Sequence, residues 1–203
     1  VLSSIPFPYR LTALFAIAAA AAWLDWRHHR PHATKWKEYF FLVTVSLLGA
    51  IVGMANDTVT SHLSPEYFIY GKGIAPGPNF FKGVLELAFQ AGLVAAFVGG
   101  AAYLFANNPK VCQPSLSYPQ LYAWVKWPIL CALLFATVLG VGSQWFVGPQ
   151  IDSEMTKVFG EAKTIWFWRV WYIHIGLYSG LTIGVGWGIF GIRRDRQKLA
   201  YLP

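Results

Sequence analysis

Residues 165–192 read IWFWRVWYIHIGLYSGLTIGVGWGIFGI, and Arg169 is the one Lys, Arg, Asp or Glu among them. A helix needs about 20 residues to cross a hydrocarbon core of ~30 Å. This run exceeds that length and shows no apolar–polar alternation, so it reads as a transmembrane helix and argues against a β-barrel strand. Four further runs have the same character, at 9–26, 38–56, 79–106 and 122–147. Pro31, Pro65, Pro76, Pro78, Pro109, Pro114, Pro119 and Pro149 fall between the runs, as helix punctuation should. Pro128 lies in the first turns of the fourth run, where a kink is expected.

Composition agrees. Hydrophobic residues make up 56% of the 203-residue chain, charged residues 12% and aromatic residues 17%, with a mean hydropathy of +0.44. A soluble domain carries about twice that share of charge. The composition excludes an ordinary cytosolic enzyme, a disordered chain and a disulfide-rich secreted module. The expected fold is an all-α bundle of five transmembrane helices, forming one domain over residues 1–203. The first run could be misread as a signal peptide. Asp25-Trp26-Arg27-His28-His29 follows it rather than a small-residue cleavage site, so a retained helix is expected. Cys112 lies in a polar loop and Cys131 in an apolar run, so no disulfide is expected.

The net charge is +7. The basic residues sit at the ends of apolar runs, which is a topological signal. No nucleic-acid-binding motif accompanies them. One side collects Arg27, Arg30, Lys35, Lys37, Lys110, Lys126, Arg193, Arg194, Arg196 and Lys198, against only Asp25, Glu38 and Asp195. That side should be cytoplasmic, with the N-terminus outside and the C-terminus inside. Trp23, Trp26, Trp36, Trp124, Trp127, Trp145, Trp166 and Trp168 cluster at run ends like an aromatic belt. The surrounding partner is the lipid bilayer, with other membrane subunits or self-association expected and no nucleic acid.

Residues that can carry chemistry collect at the outer ends of the runs. Asp57 closes the second run and Glu66 follows Ser64-Pro65. Ser64 can cap a short helix, Pro65 suits its first position and Glu66 favours its positive end. The segment is therefore either a capped turn or a place where Asp57 and Glu66 converge. Glu86 and Gln90 share a face of the third run, together with Lys82. A Lys82–Glu86 surface pair competes with a functional carboxylate that is costly inside a bilayer unless paired. The fifth run places His174 and Tyr178 one turn apart, and Arg169 could pair with Glu66 or Glu86. Gln144 could join this set from the fourth run. His174 is the only histidine well inside a run, since His28, His29 and His32 lie on the opposite side. A bis-histidine haem is therefore not expected, and a pigment on His174 alone is a weak alternative. Asp57, Glu66, Glu86 and His174 would suit a hard or borderline metal ion such as Mn, Fe or Zn. The same set would suit proton transfer.

On the same run, Gly176, Gly180, Gly184 and Gly188 recur every fourth residue. Small residues at this spacing let helix backbones approach closely, in the same chain or between chains.

Asp57-Thr58-Val59-Thr60, followed by Glu66-Tyr67-Phe68 and Gly71, resembles a segment in a group of uncharacterised bacterial multi-span membrane proteins. Members also tend to carry a late Trp-x-x-His with a downstream Tyr, matched by Trp171, His174 and Tyr178. The resemblance covers about a quarter of the chain. Many members continue the glycine with His-Pro, where Lys72 and Gly73 follow Gly71; this departs from a second histidine ligand in the loop. The resemblance brings no known reaction. It implies a bacterial inner membrane location and marks Asp57, Glu66 and His174 as the positions to test.

Two function classes result. One is a membrane-embedded carboxylate–histidine site that binds a metal or handles protons. The other is a non-catalytic accessory subunit of a larger membrane complex, packed through the glycine stripe and the Trp-rich surfaces, with polar groups that only fix loops. A channel or carrier ranks lower, because runs one and four offer few inward polar groups. No P-loop, dinucleotide fingerprint or zincin motif occurs.

Overall fold

The computed structural model describes residues 6–30, 32–109, 113–147 and 153–200. Pro31 and Pro149 of the helix punctuation, Lys110 of the charge balance and Cys112 lie outside them. The described residues are helical: α1 (Phe7–His29), α2 (Lys35–Leu63), a wide π-helical turn (Tyr67–Gly71), α3 (Phe80–Asn107), α4 (Tyr118–Val147), α5 (Ser153–Phe159) and α6 (Glu161–Ala200). Four of them, α2, α3, α4 and α6, are long and apolar enough to cross a membrane. The expected first span forms α1 but is not among these four. The chain divides into two compact units, 1–44 and 45–203.

In the first unit, the Asp25 carboxylate accepts hydrogen bonds from the Thr34 and Lys35 amides at 2.9 and 3.0 Å. It thereby satisfies free N–H groups where α2 begins. Asp25 also pairs with His29 at 3.1 Å, and Arg30 lies over the Trp26 ring.

In the second unit, α6 packs chiefly along α4 and next against α3. The glycine stripe makes this possible. Side chains at Gly176, Gly180 and Gly184 would run into the α4 backbone at Phe135, Cys131 and Pro128. Gly188 faces the Tyr103 ring of α3. Tyr103 in turn directs its hydroxyl at the Trp124 and Gly184 carbonyls, at 3.3 and 3.4 Å. Gly49 and Gly53 of α2 meet Gly92, Ala88 and Ala96 of α3 in the same way. The stripe is thus used inside the chain. All four of its glycines are buried.

At the end of the bundle holding the α3–α4 connection, Arg196 is almost fully buried. Its guanidinium donates to the Ala106, Gln113 and Pro114 carbonyls at 2.6, 2.9 and 2.9 Å. The Asn107 side chain pairs with both the N–H and the C=O of Leu116. A buried cation is tolerable here because three carbonyls, one at the negative end of α3, satisfy it.

At the opposite end, α2 runs seven residues beyond the expected limit of its apolar run. Thr58, Thr60, Ser61 and His62 direct their side chains at carbonyls three or four residues back, between 2.7 and 3.0 Å. The polar side chains thereby shield themselves, and the segment stays helical. Asp57 therefore lies within a helix. Beyond it, Ser64 accepts the Tyr67 amide at 3.4 Å, as a capping residue does. The π turn is anchored by a core of Tyr67, Phe68, Val84, Phe167 and Val170.

Of the expected aromatic belt, Trp23, Trp26, Trp36, Trp127, Trp145 and Trp166 are exposed. Trp124 instead packs against Gly191, and Trp168 packs against the π-turn core.

Candidate functional site

Asp57 near the end of α2 and His174 of α6, far apart in sequence, meet in the second unit. The Asp57 Oδ1 lies 3.0 Å from the His174 Nε2. Both residues are buried, at 8% and 5% exposure. The other ring nitrogen, Nδ1, lies 2.8 Å from the Val170 carbonyl one turn earlier on α6. A carbonyl only accepts, so Nδ1 carries a hydrogen. Nε2 must then meet the carboxyl group through one further proton. Either an imidazolium faces a carboxylate, or a neutral imidazole accepts from a protonated Asp57. Each arrangement is net neutral, which is why the pair can be buried. The Asn56 Nδ2 also donates to Oδ1, at 2.9 Å.

The ring is held from the side as well. Tyr67 stacks on His174 with centroids 4.7 Å apart and planes 27° apart. Phe68 meets its edge at 6.0 Å, and Trp171 meets Tyr67 edge-on at 6.2 Å. Gly71 lies against Phe167 and Tyr67. Burial, with the Tyr178 hydroxyl and the Asp57 carboxylate nearby, pushes the Tyr67 phenol up. Tyr67 therefore stays neutral.

Asp57 also lines an apolar cleft of about 820 Å³, the open space at its mouth included. Gly49, Gly53, Ala88, Ala91, Gly92 and Ala95 form much of its wall, because small residues leave room between crossing helices. Tyr178 borders it beside Asp57. Asp57 is the one acidic residue lining it among the described residues.

The other candidates lie elsewhere. Glu66 pairs with Lys163 at 2.9 Å and accepts weakly from the Ser64 hydroxyl at 3.4 Å. Burial acts to raise the Glu66 carboxyl, but the Lys163 hydrogen bond and charge, with the backbone and Ser64 hydrogen bonds, together outweigh it and hold the group below its ordinary value of 4.5. Glu86 is exposed and sits 3.8 Å from Lys82, the helix-surface pair. Arg169 pairs with neither glutamate; it lies over the Trp166 ring at 4.7 Å. Gln90 is half-buried on α3, and no hydrogen bond joins it to the pair. Gln144 lines a separate cavity with Arg169. Of the four expected metal ligands, the fold therefore brings together Asp57 and His174. Among the described residues, no group of three or more His, Cys, Asp or Glu side chains is placed to hold a metal ion.

Asn56, Tyr67 and Phe68 were not expected to frame the histidine, nor Lys163 to hold Glu66. Tyr67 and Phe68 stand beside Glu66 in the motif quoted above, so that segment marked the place through its neighbours. No family model, curated protein or solved structure that was compared matches the chain.

Proposed function

We propose that this chain is a polytopic membrane protein whose Asp57–His174 pair takes up and releases a proton beside an apolar cleft in the bundle. The observation that carries this reading is the engagement of His174 Nδ1 with the Val170 carbonyl, which leaves one proton between Nε2 and Oδ1. Such a pair can exchange a proton with a molecule entering beside Asp57, without a net charge in its resting state. Tyr67 keeps the ring oriented through stacking. Tyr178, at the cleft beside Asp57, is a polar group that an incoming molecule would meet.

The test is the His174 ring signal in nitrogen-15 histidine-labelled protein, followed across pH in a mild detergent. A single titration that Asp57→Asn shifts or removes, in a chain that still folds, supports the reading. A ring signal indifferent to Asp57→Asn would overturn it. Elemental analysis of the same sample is the second arm. A stoichiometric transition metal, lost in both Asp57→Ala and His174→Ala, would replace proton exchange with metal chemistry at this pair.

The accessory-subunit alternative rests on the glycine stripe and the Trp-rich surfaces. The stripe glycines lie against α4 and α3 of the same chain and offer no free face, whereas Trp127, Trp145 and Trp166 are exposed and keep that alternative open to partners.

A further inference from the structure

We propose that the cavity lined by Arg169 and Gln144 is a binding site for the phosphate headgroup of an anionic phospholipid. It is an open-sided cavity between α2, α4 and α6, of about 940 Å³ with the open space at its mouth counted. Arg169 is half-buried. Its Nε is buried with no hydrogen-bond acceptor among the described residues, and its guanidinium lies over the Trp166 ring. No acidic residue lines the cavity. Its two hydroxyls are turned away, since Thr60 and Thr137 donate to the Asn56 and Leu133 carbonyls, and the Asn56 amide donates to Asp57. Arg169, Gln144 and the Trp166 indole therefore remain as donors.

An unpaired guanidinium at membrane depth is costly, and such groups pair or reach the interface. Its depth can be read along α6. Arg169 and Arg193 are 24 residues apart, which is about 36 Å of helix at 1.5 Å per residue. No Lys, Arg, Asp or Glu lies between them. That distance slightly exceeds a hydrocarbon core of ~30 Å, so the two arginines bracket it. Arg169 thus sits at the level of the headgroups. A guanidinium matches a phosphate with two parallel N–H donors.

The walls favour a lipid over a free ion. Val59, Leu133 and Val141 line the cavity and are 60%, 46% and 58% exposed. Such surfaces suit acyl chains running down from a headgroup. A net anionic headgroup is favoured because the cavity has one cation and no acid to receive a choline or ethanolamine.

The test uses the full chain in mild detergent, with phosphatidylglycerol and phosphatidylcholine offered in turn and bound lipid read by native mass spectrometry. The expected result is preferential retention of phosphatidylglycerol and a loss of about tenfold or more in Arg169→Gln, the size of one charge-assisted hydrogen bond. Equal retention of both lipids by the wild-type chain, or unchanged retention by Arg169→Gln, would overturn the proposal. Millimolar inorganic phosphate is the third probe: if it binds alone and displaces the lipid, the site recognises a free anion and the lipid assignment fails. Should Arg169→Gln not fold, Gln144→Leu takes its place, with a several-fold weaker retention at unchanged melting temperature expected. Unchanged retention in that variant counts against the site.

Discussion

His174 can act as it does only because one of its nitrogens is already committed to a backbone carbonyl. Replacing its partner tests the arrangement. In Asp57→Asn the new amide can donate to Nε2, but it then turns a donor toward the Asn56 amide. One contact is lost, so the expected cost is about 1–2 kcal/mol, with the shared proton gone. His174→Ala is worse. It leaves a buried carboxyl without its partner and opens space beneath Tyr67, and a loss of about 3 kcal/mol is expected. Thermal melts of the two variants in one detergent check the order: Asp57→Asn should melt between wild type and His174→Ala. A different pH response belongs to Glu66. Its carboxyl is held below 4.5 in the folded chain by Lys163 together with backbone and Ser64 hydrogen bonds. A lowered carboxyl adds stability that is fully present above the unfolded value and is lost as pH falls through the folded one. Melting temperature should therefore drop on acidification below about pH 4.5, and Lys163→Ala should lose that part of the drop. The effect is small, because Lys163 is exposed and its charge is screened.

Among the elements, α6 carries the clearest contrast. Gly180 abuts the α4 backbone at Cys131, whereas nothing lies within 4 Å of a side chain added at Gly186. Gly180→Val should force the two helices apart and cost about 3 kcal/mol or more. Gly186→Ala should leave stability unchanged or add up to about 1 kcal/mol through helix propensity, read as an unchanged or higher melting temperature. Equal effects at the two positions would contradict the packing of α6 on α4. The end of α2 makes a related point. Its Thr, Ser and His side chains read as loop by composition, yet they bond to their own helix. A polar stretch at a helix end is thus compatible with two more turns of helix.

For the whole molecule, four helices are long and apolar enough to span a membrane, and many of their large apolar side chains are exposed. Such a surface suits lipid and not water. We propose that the end bearing Arg193 and Arg194 is cytoplasmic, from the distribution of basic residues. With four spans from α2 to α6, single cysteines introduced at Thr34 and Gln197 should label from the same side of sealed vesicles. A cysteine at Gly77 should label from the other side. Labelling of all three from one side would refute the arrangement. Whether α1 adds a fifth span is decided by the side on which a tag ahead of Pro6 is accessible.

The apolar runs, their lengths and their proline punctuation determined by themselves that the chain forms helices long and apolar enough to cross a membrane, because hydrocarbon demands long segments with internally paired backbones. The helix-spaced glycines likewise announced close packing, since backbone approach requires a missing side chain. Which helix they meet was decided by the tertiary structure, because the stripe is compatible with any neighbour in the same chain or another. The candidate site divides the same way. Asp57 and His174 were legible as ionisable groups in apolar surroundings, where charge is costly and so informative. Glu66 and Glu86 carried the same signal, and only the fold separates them, by giving each a lysine. The Asp57–His174 bond and the Tyr67 stack are contacts between residues of different elements, and Arg169 is left unpaired because neither glutamate reaches it. They depend on azimuth and depth, which a few degrees of helix rotation would change and which no local spacing in the chain encodes.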